Sequence, residues 1–340
     1  MRRHLNTLFV STQGAWLNKD GANVVVSLEA KELGRIPIHN LGGIVGFGRV
    51  MLSPPLMGYC AESQVGVAFM TEEGRFLAGV VGAQSGNVHL RREQYRRTDD
   101  EAGATAIARS VIMGKVLNQR TVLRRALRDH GAQSDIEAAA DKLTGIARRV
   151  EHAATVDAVR GFEGEAANLY FSVFDRLIVG DRNVFSFKVR TRRPPLDRVN
   201  ALLSFTYAIL ANDVRSALET TGLDPGVGFL HRDRPGRASL ALDVMEEFRP
   251  FFADRLVLSL INRKQLAARD FKNFDNGAVF LTEDGRKTVL VAYQERKREE
   301  LEHPFLEEKV TIGLLWHLQA QLLARHLRGD LDGYPPFLAK

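Results

Sequence analysis

Two stretches of the sequence gather side chains that could do chemistry together. Residues 228–250 read GFLHRDRPGRASLALDVMEEFRP, and residues 161–174 read GFEGEAANLYFSVF. In the first, His231 follows a short apolar approach, and Asp243, Glu246 and Glu247 stand among Leu240, Leu242, Val244, Met245 and Phe248. On a helix opening near Ser239, Asp243 lies on one face with both glutamates. Like charges on one face repel, so that face is either solvated or matched by a cation. In the second stretch, Glu163 shares a helix side with Ala166, Ala167 and Tyr170, whereas Glu165 points away. A carboxylate at the edge of a buried stripe is costly unless paired or coordinating. The alternative is service at a helix N-terminus, where the macrodipole favours negative charge. Ala166 and Ala167 leave room for a second helix, with the one carrying Glu246 the expected neighbour.

Taken together, His231 and two carboxylates, Glu163 and one from the acidic helix that follows His231, make the donor set of a divalent-metal site. Carboxylate oxygens suit Mg²⁺ or Mn²⁺, and the imidazole shifts the preference toward Mn²⁺. Three protein ligands leave positions for water and a phosphate oxygen, as Lewis-acid assistance to phosphoryl transfer requires. Asp243 is either a further ligand or the group that orients His231 through its other ring nitrogen. Arg232, Arg234 and Arg237 follow His231 in a loop with Pro235 and Gly236, and Arg192-Arg193 recur upstream. Any one arginine pair is ordinary surface charge. Their recurrence beside a metal site suits a phosphate backbone and marks these five as candidate DNA contacts.

The elements that must position these groups fall in two parts. The chain has 340 residues, 45% of them hydrophobic, with a net charge of +6. That is enough for one large domain or two ordinary ones, and it excludes a disordered chain. Cys60 is the only cysteine, so no internal disulfide or cysteine-rich zinc cluster can form, which fits a reducing cytoplasm. No segment has the length and apolarity of a signal peptide core or a membrane span.

Residues 1–95 carry short apolar runs separated by turn residues, with NKDG and TEEGR as hairpin turns and SPPLMGYCAES as a short helix. RREQYRRTDDEAGA, from residue 91, reads as a linker or the approach to a helix. Helical periodicity then runs from 96 to 340. Helices are expected over 104–130, from a Ser134/Glu137 capping box onward, and over 163–178, 197–221, 239–248, 251–268 and 307–328. AVFLTEDGRKTVLVAY reads as a hairpin. The expected fold class is α+β, a small N-terminal β domain (1–95, dimerisation) followed by a larger all-α catalytic domain (96–340).

Three ordered motifs, GFEGEAANLYF, RRPPLDRVNALLSFTYAIL and GLDPGVGFLHRDRPGRASLALDVMEEFRP, resemble the CRISPR-associated adaptation integrase family. IPIHNLGGIVGFGRVMLSP and VGVAFMTEEGRFLAG resemble its β domain, so the likeness covers nearly the whole chain. The YPPF end is most similar to a type I-C version. The resemblance implies Glu163, His231 and Glu246 as metal ligands, with Asp243 at an additional acidic position, and so leaves Glu247 on the surface. Family members often carry aspartate where Glu246 stands, and S-x-G-Y where this chain has SFTY. The resemblance also implies a metal-dependent endonuclease and integrase whose DNA 3′-hydroxyl ends attack a CRISPR array by transesterification. Its substrates are double-stranded and branched DNA. Its implied assembly is a homodimer joined through the β domains and bound to a small ferredoxin-like CRISPR adaptation protein. The rival readings are a non-catalytic DNA-binding scaffold and a general metal-dependent nuclease.

Overall fold

The computed structural model describes residues 6–80, 82 and 88–340. Its N-terminal part holds β1 (Asn6–Val10), β2 (Trp16–Asp20), β3 (Asn23–Leu28), β4 (Lys31–Pro37), β5 (Leu41–Phe47), β6 (Met51–Leu52), α1 (Pro54–Glu62), β7 (Gly66–Met70) and β8 (Phe76–Val80). They form two four-stranded sheets, in the orders β4-β3-β2-β6 and β1-β5-β7-β8. Both expected hairpin turns are present. Asp20 pairs with Asn23 across Gly21, which adopts φ 56°. Thr71 and Arg75 close the turn between β7 and β8. Pro54 and Pro55 open α1, where a missing N–H does no harm.

The rest is mostly helical: α2 (Val88–Asp99), α3 (Glu101–His130), α4 (Ser134–Glu151), α5 (Val156–Ser172), α6 (Arg198–Thr221), α7 (Ser239–Met245), α8 (Arg255–Asn262), α9 (Glu283–Arg298) and α10 (Leu315–Leu327). Two short hairpins interrupt it, β9 (Phe271–Asn273) with β10 (Val279–Leu281), and β11 (Glu300–Glu302) with β12 (Lys309–Thr311). The α+β class and its order therefore stand. The polar stretch from residue 91 is helix rather than linker, broken where the Asp100 side chain caps α3. Residue 95 thus lies inside α2. Val45, Phe47 and Met70 of the β region join the large core of the helices, while Leu17, Val24, Ile44 and Leu56 form a separate β core. Among the described residues no helix is long and apolar enough to cross a membrane.

Several local expectations are corrected. Gln133, not Ser134, is the N-cap of α4, and no side-chain cap bond forms there. The expected hairpin at 278–293 is half right. β10 pairs back to β9, but the next element is the helix α9. Thr282 caps its first turn by accepting from the Gly285 N–H, acidic residues open it and basic residues close it. Asp284-Gly285 therefore sits in a helical turn. α5 starts at Val156, capped by Thr155, so Glu163 lies mid-helix and not at an N-terminus. α10 begins at Leu315, after a strand and a short 3₁₀ turn.

Candidate functional site

The helix carrying Glu246 is irregular where it matters. α7 ends at Met245, and a π-helical segment, Arg249–Asp254, leads into α8. Two residues explain the wider turn. Pro250 has no N–H to offer the Glu246 carbonyl. The Glu247 carbonyl accepts instead from the Asn118 side chain of α3, at 2.8 Å. A side chain inserted into the ladder is a standard cause of such an irregularity, and π turns recur at functional sites.

Glu163 and Glu246 face each other across one lysine. Lys115 of α3 is buried, and its ammonium pairs with Glu163 Oε1 and, at 2.8 Å, with Glu246 Oε2. Arg249 Nη1 lies 2.8 Å from Glu246 Oε1. Burial opposes ionisation of Glu246, but Arg249, Lys115 and His231 outweigh it and hold its carboxyl down at about 2. Glu163 is the more open of the two, its side chain 28% exposed against 2% for Glu246. As expected, Ala166 and Tyr170 on its side of α5 are buried, and Glu165 is on the outside, paired with Arg149.

Asp243 is committed to the loop before α7. Its Oδ2 accepts from the Phe229 N–H at 2.6 Å and the Leu230 N–H at 2.9 Å. Its Oδ1 accepts from the His231 N–H at 3.0 Å and meets His231 Nδ1 at 2.6 Å. That contact leaves Nε2 as the ring's ligating atom. Gly228 makes the cradle possible, because a Cβ there would stand 2.7 Å from Asp243 Oδ2.

Glu247 corrects the sequence reading. It is fully buried, not on the surface. Tyr334 Oη donates to it at 2.6 Å, the Phe337 N–H at 2.7 Å and Gln319 Nε2 at 3.1 Å. Burial pushes its carboxyl up to about 8, against those three hydrogen bonds.

The arginines divide. Arg192, Arg193, Arg232 and Arg234 are exposed, with Arg232 paired to Asp157 at 3.2 Å. Arg237 is half-buried. Burial and the charges of Arg234, Arg193 and Arg160 lower its pKa, with Asp243 acting against them. Arg234, Arg193 and Arg160, the last missed by the sequence reading, thus lie within electrostatic reach of Arg237. Arg160 lies one turn before Glu163 on α5 and donates to the Leu230 carbonyl at 2.7 Å. Tyr207, the last residue of SFTY, lies under Arg249, 4.9 Å from ring centroid to guanidinium carbon.

Lys115 and Arg249 were likewise missed. Lys115 had a readable signal, a charge on the apolar stripe of Val111, Ile112 and Val116. Among the described residues, no three His, Cys, Asp or Glu side chains are gathered closely enough to hold one ion as they stand. The donor set nevertheless fits a divalent cation. His231 offers Nε2, a cation already sits between the two carboxylates, and buried Glu246 Oε2 accepts no well-aligned hydrogen bond although Lys115 is at ion-pair distance.

Residues 8–295 match the protein-family model described as CRISPR associated protein Cas1. A protein of Chlorobaculum tepidum named CRISPR-associated endonuclease Cas1 1 is 54% identical over 341 residues, 99% of each chain. One of Rhodospirillum rubrum named CRISPR-associated endonuclease Cas1 2 is 54% identical over 347 residues, the whole of both chains. Among solved structures, a CAS1 protein from Thermotoga maritima superposes with a TM-score of 0.82 at 25% identity, over 98% of this chain and 100% of that one.

Proposed function

Because the chain belongs to the CRISPR associated protein Cas1 family, an enzyme family of nucleases and integrases, we propose that it inserts short DNA fragments into a CRISPR array at the site built by Glu163, His231 and Glu246. The observation that carries this reading is that Glu163 and Glu246 share one lysine, while His231, its ring fixed by Asp243, is near enough to help hold the Glu246 carboxyl down. A divalent ion, Mg²⁺ or Mn²⁺, held by those three residues supplies Lewis-acid polarisation of a phosphodiester oxygen. Asp243 holds the His231 ring by Nδ1, which leaves Nε2 for the ion, and is assigned as its orienter, since the oxygen contacts above leave it no lone pair to spare. Arg249 balances Glu246 and fixes its rotamer.

In the reaction implied by the family, a fragment's 3′-hydroxyl gives up its proton as its oxygen bonds to phosphorus, the target's P–O3′ bond breaks, and the departing 3′-oxygen takes a proton. Water in place of the 3′-hydroxyl gives cleavage, in keeping with the relatives' name of endonuclease. Arg192, Arg193, Arg232, Arg234 and Arg237, joined by Arg160, are the proposed phosphate-backbone contacts for double-stranded and branched DNA. The β region, residues 1–95, is the proposed dimerisation part, and the small ferredoxin-like adaptation protein the proposed partner.

The test is joining of a labelled fragment to a leader–repeat duplex with Mn²⁺ present. Glu163→Gln, His231→Ala and Glu246→Gln are each expected to lower joining at least 100-fold while DNA binding persists. Chelation abolishes wild-type joining and added Mn²⁺ restores it. Wild-type rates in all three variants would overturn the assignment.

A further inference from the structure

Lys115 stands where the proposed metal would be. Its side chain is only 5% exposed, and its ammonium touches one oxygen of each carboxylate assigned to the ion. Opposite charges at such short range in a buried setting attract strongly. Charge balance sharpens the point. Glu163 and Glu246 are already matched by Lys115 and Arg249, so a divalent ion added to that set leaves two uncompensated positive charges. One of the resident cations must give way.

Arg249 is the more confined one. Its guanidinium lies over the Tyr207 ring while Nη1 pairs with Glu246, and its planar group has less freedom to swing away. Lys115 carries a point charge on a flexible four-carbon stem, and Glu246 Oε2 receives from it an ion pair without an aligned hydrogen bond. The lysine's hydrogen bond goes to Glu163, the more open carboxylate.

We propose that Lys115 is a tethered counter-cation: it holds Glu163 and Glu246 together in the metal-free protein and is displaced by the incoming divalent ion. This rests on the metal-site reading above and deepens it. It makes Lys115 a positioning residue that sets metal affinity and keeps buried Glu246 and half-buried Glu163 from repelling each other before the ion arrives.

The test measures Mn²⁺ binding to the full chain by titration calorimetry, with no DNA present, alongside melting curves with and without Mn²⁺. Lys115→Met removes the competitor at similar volume. It should bind Mn²⁺ at least tenfold more tightly than wild type and melt lower without metal, with Mn²⁺ closing the gap. Lys115→Arg keeps the charge on a fork that grips two carboxylates better. It should melt like wild type and bind Mn²⁺ more weakly. Unchanged or weaker Mn²⁺ binding in a folded Lys115→Met overturns the proposal. If Lys115→Met does not fold, wild-type affinity in Lys115→Arg does so. Glu163→Gln separates the two readings. If it binds Mn²⁺ as wild type does, the metal site itself is misplaced. If it loses Mn²⁺ while both lysine variants match wild type, only the role of Lys115 falls.

Discussion

Replacing Asp243 by asparagine distinguishes an orienter from a ligand. Four donors converge on this carboxylate, the N–H groups of Phe229, Leu230 and His231 and the His231 ring, two on each oxygen. The residue is buried, so water cannot replace a lost acceptor. An amide keeps one oxygen and turns the other position into a donor. Whichever way it is placed, two donors lose their partner. Each buried donor left unsatisfied costs about 1–3 kcal/mol, so Asp243→Asn should lose about 2–6 kcal/mol. Unfolding entropy of about 2.1 cal/mol/K per residue converts this to a drop in Tm of about 3–8 °C for a chain of this length that melts cooperatively. The assay is thermal unfolding of metal-free protein, followed by Mn²⁺ titration at a temperature where the variant is folded. Mn²⁺ affinity should fall less than in Glu163→Gln, because Nε2 remains available once the ring settles. A variant that melts within about 1 °C of wild type, yet loses Mn²⁺ as completely as Glu163→Gln, would refute the reasoning and make Asp243 a ligand.

Two further outcomes are expected. Asp254 lies at the end of the π segment with Tyr207 Oη 2.5 Å away, and burial pushes its carboxyl up to about 6 from an ordinary 3.8. A raised carboxyl pKa stabilises the fold below the unfolded value, and that contribution is lost as pH rises through about 6; the shift corresponds to about 3 kcal/mol. Asp254→Asn should therefore gain on wild type by up to that amount between pH 4 and pH 8, and parallel curves of Tm against pH would count against it. Phe337 is buried against Phe248 and Phe251, with ring centroids at 5.7 and 5.1 Å. Phe337→Ala should cost about 3–5 kcal/mol, read as a lower urea midpoint at unchanged slope; an unmoved midpoint would show that the segment after α10 adds nothing to the core.

Much of the frame was legible because it is local. Short apolar runs with turn residues between them gave the β region, and prolines in a first turn gave α1. The α6 boundaries could be read from Asp197 at one end and Gly222, in the left-handed conformation, at the other. α9 was misread because Asp284-Gly285 has the composition of a hairpin turn. The deciding residue was Thr282, whose capping bond outweighs that composition once Val289, Leu290 and Tyr293 have a core to enter. Glu163 was legible through the small residues beside it on α5. Its partner was not, since Lys115 reaches it only through the packing of α3 against α5, and Arg160 meets the Leu230 carbonyl only where α5 packs on the loop before α7.

Glu246 and Glu247 show where such reading must stop. Adjacent residues on a helix point about 100° apart, so a face carrying Glu246 inward should turn Glu247 toward solvent. Here both are buried, because the segment after α10 covers the second face and brings Tyr334 and Phe337 to Glu247 from far along the chain. Their chemistry then diverges by neighbours alone. Cations outweigh the burial of Glu246 and take its carboxyl down to about 2, while Glu247 meets only neutral donors and burial takes it up to about 8. The same segment also shapes the site from behind. Asn118 joins the Glu247 carbonyl to the Phe337 carbonyl, and Gly114, one residue before Lys115, lets Glu247 and Pro336 approach α3 so closely that a Cβ would stand 3.1 Å from each. The turn that presents Glu246 to Lys115 is thus held in part by Asn118 and by the segment after α10, which is why no local pattern around EEFRP could have revealed it.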